Sequence, residues 1–352
     1  MPKRKGRPVL HAATVLALLA GSAYFTYELR KDEQAKLPAA QTITENLNSS
    51  GNGKATGKQT WERLNNPARS VLRDGKGAVI ATFTDGARTA TLKGPTRTFT
   101  EPANTTTKVV TDDWVRLMPE TWTKGAEKQQ WFKDWFKQYY GSEEDDVFAF
   151  AFSYIQGAPA KKDDQGVQYA GHATYGPLKA DGVDRYEQTD FYDYLGIPYT
   201  FRDGVTMYPQ KDRLRAVDCS GYLRLVYGYR ARYPLMSDNI HGDGLPRTAD
   251  GMARGKEGVD VIKLQGPSPW YVRPQHIDVL QPGDLLFFKM DHRTANHMDH
   301  SAIYLGPDTE GHKVFISSRK EQNGPTIGDQ GGVSRLDGNG FYAKLFRSAK
   351  RL

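Results

Sequence analysis

Cys219 is the only cysteine among the 352 residues, and it lies in Asp218-Cys219-Ser220-Gly221-Tyr222. A solitary cysteine has no internal disulfide partner, so in an oxidising compartment it is either a buried bystander or a thiol kept for its reactivity. Its surroundings favour reactivity. Cys219, Tyr222, Leu223, Val226 and Tyr227 follow the i, i+3, i+4, i+7, i+8 spacing of one buried helix face. A helix starting near Asp218 and ended by Gly228 would hold the thiol in its first turn, where the positive helix end favours thiolate over thiol. In mid-helix the same residue would be inert packing.

A thiol nucleophile needs a base. Among the eight histidines, His300 has the best context. Gln281-Pro282-Gly283-Asp284 reads as a turn, Leu285 to Phe288 as a buried strand, and His300 to Gly306 as a second strand with the imidazole at its start. Alternation puts His300, Ala302 and Tyr304 on one face, where the small Ala302 would let the cysteine helix lie close. A third strand, Lys313 to Ser318, would bring Ser317 near the imidazole as an orienting group, with His312, Asp299 or a backbone carbonyl as substitutes. Such a set suits nucleophilic acyl transfer. The stretch Asp291-His292 with Asn296-His297-Met298-Asp299-His300 has the composition of a metal site. Its spacings match no helix-borne zinc pair, and a strand would send neighbouring ligands to opposite faces. No metal and no cofactor are expected.

The elements that must position these residues follow a long preamble. Lys3, Arg4, Lys5 and Arg7 precede an apolar run from Val9 to Phe25, the pattern of a signal peptide or signal anchor over residues 1–31. Gly21-Ser22-Ala23 offers small residues for signal peptidase. Either outcome puts the rest of the chain outside the cytoplasm, secreted or tethered to the membrane. Residues 32–60 are polar, without hydrophobic period, and read as a flexible linker. Those four basic residues supply most of the formal net charge of +7, so the remainder lacks the footprint of a nucleic-acid binder.

In residues 61–120, Asp74-Gly75 and Asp85-Gly86 punctuate segments rich in β-branched residues, which predicts hairpins and a small β-rich subdomain without catalytic residue types. Trp131, Phe132, Trp135, Phe136 and Tyr139 recur at helical spacing and read as core packing, within helices spanning 127–156. Ser142, with Asp145 three residues on, is expected to cap the second helix. Residues 157–215 form an irregular insert in which Tyr169, Tyr175, Tyr186, Tyr192, Tyr194, Tyr199 and Tyr208 could line a cleft. Residues 216–352 carry the reactive core. Helices first, then a helix on an antiparallel sheet, make an α+β arrangement.

Several blocks in order are similar to the NlpC-type cell-wall endopeptidases, papain-like cysteine peptidases of bacteria. They are Asp218 to Tyr222, Leu245-Pro246-Arg247-Thr248, Leu280 to Phe288, His300 to Gly306, and Phe315-Ile316-Ser317. The resemblance runs from about Ile197 to the end, and the whole looks like actinobacterial wall-associated members. It implies a papain-like catalytic domain over 121–352, with Cys219 as nucleophile and His300 as base. The implied substrate is the peptidoglycan stem peptide, at the bond between γ-D-glutamate and diaminopimelate, cut by a monomer. Ile197-Pro198-Tyr199 resembles the family segment whose tyrosine lies by the active site, so Tyr199 joins Asp218 and Ser220 as a candidate substrate contact. Ser317 departs from the family pattern, in which the third polar member is His, Asn or Gln. That departure and the insert motivate the alternative of a weak or inactive relative that binds wall peptide, beside the remoter metal-dependent hydrolase built on residues 292–300.

Overall fold

The Asp-Gly breaks are tight turns. Asp74 Oδ1 accepts hydrogen bonds from the Lys76 and Ala78 amides, each at 2.9 Å, and Gly77 supplies the left-handed φ of 85°. The computed structural model describes residues 43–44 and 58–352, so the N-terminal apolar run and most of the predicted linker lie outside the described residues. Among the described residues, no helix is long and apolar enough to cross a membrane. Strands β1 (Ile43–Thr44), β2 (Thr60–Leu64), β3 (Arg69–Arg73), β4 (Val79–Thr84), β5 (Thr89–Thr100) and β6 (Lys108–Leu117) form an antiparallel meander in chain order. Helix α1 (Gln130–Tyr139) buries Phe132, Trp135 and Phe136 against Trp61, Phe83 and Trp122, with the Phe83 and Trp122 rings 4.5 Å apart. The aromatic stripe is core.

Helix α2 (Val147–Phe152) is capped by Asp146 rather than Ser142. The Asp146 carboxylate accepts the Ala149 amide at 3.0 Å, and also Arg97 Nη2 at 2.6 Å and the Val115 amide at 2.8 Å. It therefore ties β5 and β6 to the helix, whereas the Ser142 hydroxyl reaches only the Glu144 amide. Short elements follow: β7 (Lys161–Lys162) paired with β8 (Gln168–Ala170), helix α3 (Phe191–Leu195), and β9 (Tyr199–Thr200) paired with β10 (Thr206–Met207). Helix α4 (Cys219–Leu223) begins at the cysteine and passes into a π-helical stretch, Arg224–Arg230. The helical run thus continues through Gly228 instead of ending there. That glycine serves packing, since a Cβ on it would stand 2.3 Å from Cδ2 of the buried Leu235.

Helix α5 (Ala249–Arg254), strands β11 (Val259–Ile262), β12 (Leu285–Phe288), β13 (His300–Pro307), β14 (Lys313–Ser318) and β15 (Pro325–Thr326), helix α6 (Phe341–Leu345) and strand β16 (Phe346–Arg351) complete the order. The second sheet is six-stranded and antiparallel, in the order β11-β16-β12-β13-β14-β15. Both of its faces are covered, which explains the unbroken apolar run of β12. Leu285, Phe287, Ile303, Leu305 and Ile316 pack with Tyr222, Leu223 and Val226 of the cysteine helix. Leu286, Phe288, Ala302, Tyr304 and Phe315 pack with Tyr342 and Phe346. The cysteine helix therefore lies on the Ser301–Ile303 side, not on the His300–Ala302 side that small Ala302 suggested. Both faces are apolar, and the C-terminal segment, through Tyr342 and Phe346, fills the His300–Ala302 face.

The architecture is α+β with antiparallel sheets, and residues 58–352 belong to one compact unit. Glu101, fully buried, joins the sheets by accepting Thr326 Oγ1 at 2.7 Å and the Ile327 amide at 2.8 Å. Arg351 does the same from the other side, donating to Asp284 Oδ1 and Thr84 Oγ1, each at 2.7 Å.

Candidate active site

Asp218 builds the turn that presents Cys219. As N-cap it accepts the Gly221 amide on Oδ1 at 2.7 Å, and Ser220 Oγ donates to the same oxygen at 3.0 Å. Position 221 must be glycine, because a Cβ would stand 2.3 Å from the Thr189 carbonyl oxygen. Arg247 locks the cap, with Nη2 2.8 Å from Asp218 Oδ2 and Nη1 2.9 Å from Ser220 Oγ. Its Nε lies 3.4 Å from Asp190 Oδ2, and Asp190 is paired at 3.0 Å with the fully buried Arg224. Alternating charges thus run from beneath α3 to the residue before the thiol, and losing one would strand its neighbour. Asp218 and Ser220 do stand at the site, with polar atoms committed mainly to holding its shape.

The thiol itself is only 6% exposed. Burial pushes its pKa up to about 12, and the Asp218 carboxylate adds to the rise. The Ser301 amide and hydroxyl and the Arg247 charge pull the other way without prevailing. In this state loss of water and the Asp218 carboxylate hold the thiol up, opposite to the lowering expected from the helix start.

His300 heads β13 opposite Phe288 and is equally buried. Its ring lies 5.4 Å from that of Tyr342 and 5.6 Å from that of Phe288. Nε2 is buried without a hydrogen-bond partner. Burial first, then the Arg319 charge, push the imidazole down to about 3, against a weaker upward pull from Asp218. It is neutral at ordinary pH. Among the described residues no hydrogen bond joins it to Cys219.

Ser317 lies one step beyond Ile316, which pairs with Ile303, so the register sets it beside Ala302 on the His300 face. Its hydroxyl does not orient the imidazole; it accepts from Arg319 Nε at 3.3 Å. Arg319 is buried, donates to the carbonyls of Gly328 and Gln330 at 2.9 and 2.8 Å, bonds Ser334 Oγ, and lies 4.6 Å over the Tyr342 ring. A serine–arginine pair thus fills the place predicted for an orienting group, and a cation there opposes protonation of His300. His312 binds Asp337 at 2.7 Å, and Asp299 accepts the Met290 and Asp291 amides at 2.6 and 2.8 Å and pairs with Lys289. Neither bonds the imidazole.

Cys219 faces a cleft of about 970 Å³. The insert supplies one wall, with Tyr175, Gln188, Tyr192 and Arg213; α5 and the loop before β13 supply another, with Asp250, Arg254 and His297. Tyr175 lines the cleft beside Cys219, and burial, then the Cys219 and Asp218 charges, hold its phenol well above the usual range. Tyr199 does not line the cleft. Its ring packs 4.7 Å from Phe191 and 4.9 Å from Phe201, because the long segment before Cys219 carries it into that aromatic core. In the 291–300 stretch Asp291 is bound to Arg293, and among the described residues no group of three His, Cys, Asp or Glu side chains is disposed to hold a metal ion. No family model matches this chain, and no curated protein matches it.

Proposed function

We propose that this chain is an exported cysteine peptidase of the papain-like NlpC type. It would cut amide bonds in peptidoglycan stem peptides, of the γ-D-glutamyl-diaminopimelate class, as a monomer that is secreted or tethered through its N-terminal segment. One observation carries the reading: the chain's only thiol opens from a helix start into a peptide-sized cleft, with a neutral imidazole heading the strand beside it. The ordered motif blocks around both residues support it.

With substrate in the cleft, the scissile carbonyl carbon stands over Cys219 Sγ. His300 is in the protonation state a general base requires, and it takes the thiol proton on Nδ1, since Nε2 is enclosed, as the sulfur attacks. Closure of the imidazole onto the sulfur accompanies binding, as such bonds are often long in the free enzyme. The Cys219 N–H stabilises the developing oxyanion, and His300 returns the proton to the leaving amine. Water then attacks the acyl-enzyme, again through His300. The thiolate–imidazolium pair is therefore made during the reaction and not stored in the resting site.

The lack of a partner on Nε2 favours a second reading, a wall-peptide binder with slow or no turnover. A purified stem tetrapeptide separates the two. Two mass-resolved fragments support the peptidase; saturable binding with intact peptide supports the binder.

A further inference from the structure

Three arginines face the cleft, and two are neutralised: Arg247 by Asp218 and Arg254 by Asp250, each at 2.8 Å. Arg213 makes no ion pair among the described residues, although the buried Asp193 carboxylate lies near enough to feel its charge. It closes the 3-10 turn Lys211–Arg213 on the insert wall, and its Nη1 donates to the main-chain carbonyls of Glu187 and Gln188 at 3.1 and 2.9 Å. Nε is buried without a partner, and the Tyr186 ring lies 6.0 Å from the guanidinium carbon. Carbonyls hold the group in place without cancelling its charge. The acids nearby are spent elsewhere. Glu187 pairs with Lys320 at 2.7 Å, and buried Asp193 accepts the Asp190 and Gln210 amides at 2.9 and 2.8 Å. A fixed guanidinium with unused donors on a cleft wall suits a planar carboxylate.

We propose that Arg213 is a carboxylate-binding subsite, selecting peptides that carry a free carboxylate flanking the scissile amide over peptides in which that group is amidated. This assignment rests on the peptidase reading above and names the substrates that site takes. Two stem peptides, identical except for carboxylate or carboxamide at the flanking position, provide the probe. Their dissociation constants are measured by calorimetry on Cys219→Ala protein with Arg213 intact, and with Arg213→Gln or Arg213→Lys added. With Arg213 intact the carboxylate peptide should bind about tenfold or more tightly than its amide, as expected for one charge-assisted bond. Arg213→Gln should bring that ratio near one, and Arg213→Lys should leave part of it. A ratio near one with Arg213 intact, or the same ratio in all three proteins, overturns the subsite; equal loss of both peptides leaves the ratio unchanged and counts against it too. Cleavage of the same peptides by the unsubstituted protein is scored separately and decides the peptidase reading.

Discussion

His300 is the residue whose charge state matters most, and its burial ties it to stability. Its imidazole would ordinarily titrate at 6.5 and is pushed down to about 3. Below 6.5 the unfolded chain gains a proton that the folded chain refuses, so the stability present above 6.5 is lost progressively as the pH falls toward 3. At pH 4.5, about two pH units into that window, the loss is about 3 kcal/mol. His300→Phe keeps an aromatic ring among Phe288, Phe315 and Tyr342 and deletes the unpartnered Nε2. The variant should be at least as stable as the parent at pH 7.5, since it removes a buried polar atom without a bond. Urea unfolding of both proteins at pH 7.5 and 4.5 gives the difference of differences, expected to be about 3 kcal/mol in favour of the variant at the lower pH. Parallel loss in the two proteins, or a marked cost of the substitution at pH 7.5, would refute a neutral, unbonded imidazole.

Two further outcomes follow from the same geometry. With the Cys219 thiol pushed up to about 12, iodoacetamide should label the free protein about tenfold faster per pH unit between about pH 6 and 9; a rate plateau at acid pH would reveal a thiolate–imidazolium pair already present at rest. Gly221→Ala must push a methyl group into the Thr189 carbonyl, 2.3 Å away, and the resulting backbone shift outweighs alanine's better helix propensity. A loss of about 1–3 kcal/mol, read as a lower Tm, is expected, and an unchanged Tm would contradict the close approach.

Much of the frame was legible because periodicity and turn residues are local signals. The β12, β13 and β14 strands, the aromatic helix, and a helix opening at Cys219 all stand where spacing predicts them. What failed depended on competition between distant groups. Alternation shows that His300 and Ala302 share a face, but not which neighbour covers it; the C-terminal Tyr342 and Phe346 occupy that face, and the cysteine helix packs on the other. Asp146 displaced Ser142 as a cap because Arg97 and Val115 also needed its carboxylate. Tyr175 lines the cleft with the thiol and Tyr199 does not, a matter of how a long insert folds back. Arg319 stands two residues after Ser317 at the strand's end, so alternation alone could have put it on the His300 face. Its carbonyl partners in the 328–332 loop, which hold it there, leave no trace in spacing. Helix position likewise promised a lowered thiol pKa, whereas burial and the neighbouring Asp218 carboxylate raise it.

Incubation of the protein with intact peptidoglycan, followed by mass analysis of the soluble products, tests the peptidase chemistry most directly. Release of stem-peptide fragments cut between γ-D-glutamate and diaminopimelate is expected, abolished by Cys219→Ala and by iodoacetamide and indifferent to EDTA. Fragments that persist with Cys219→Ala, or that vanish only with EDTA, would contradict it.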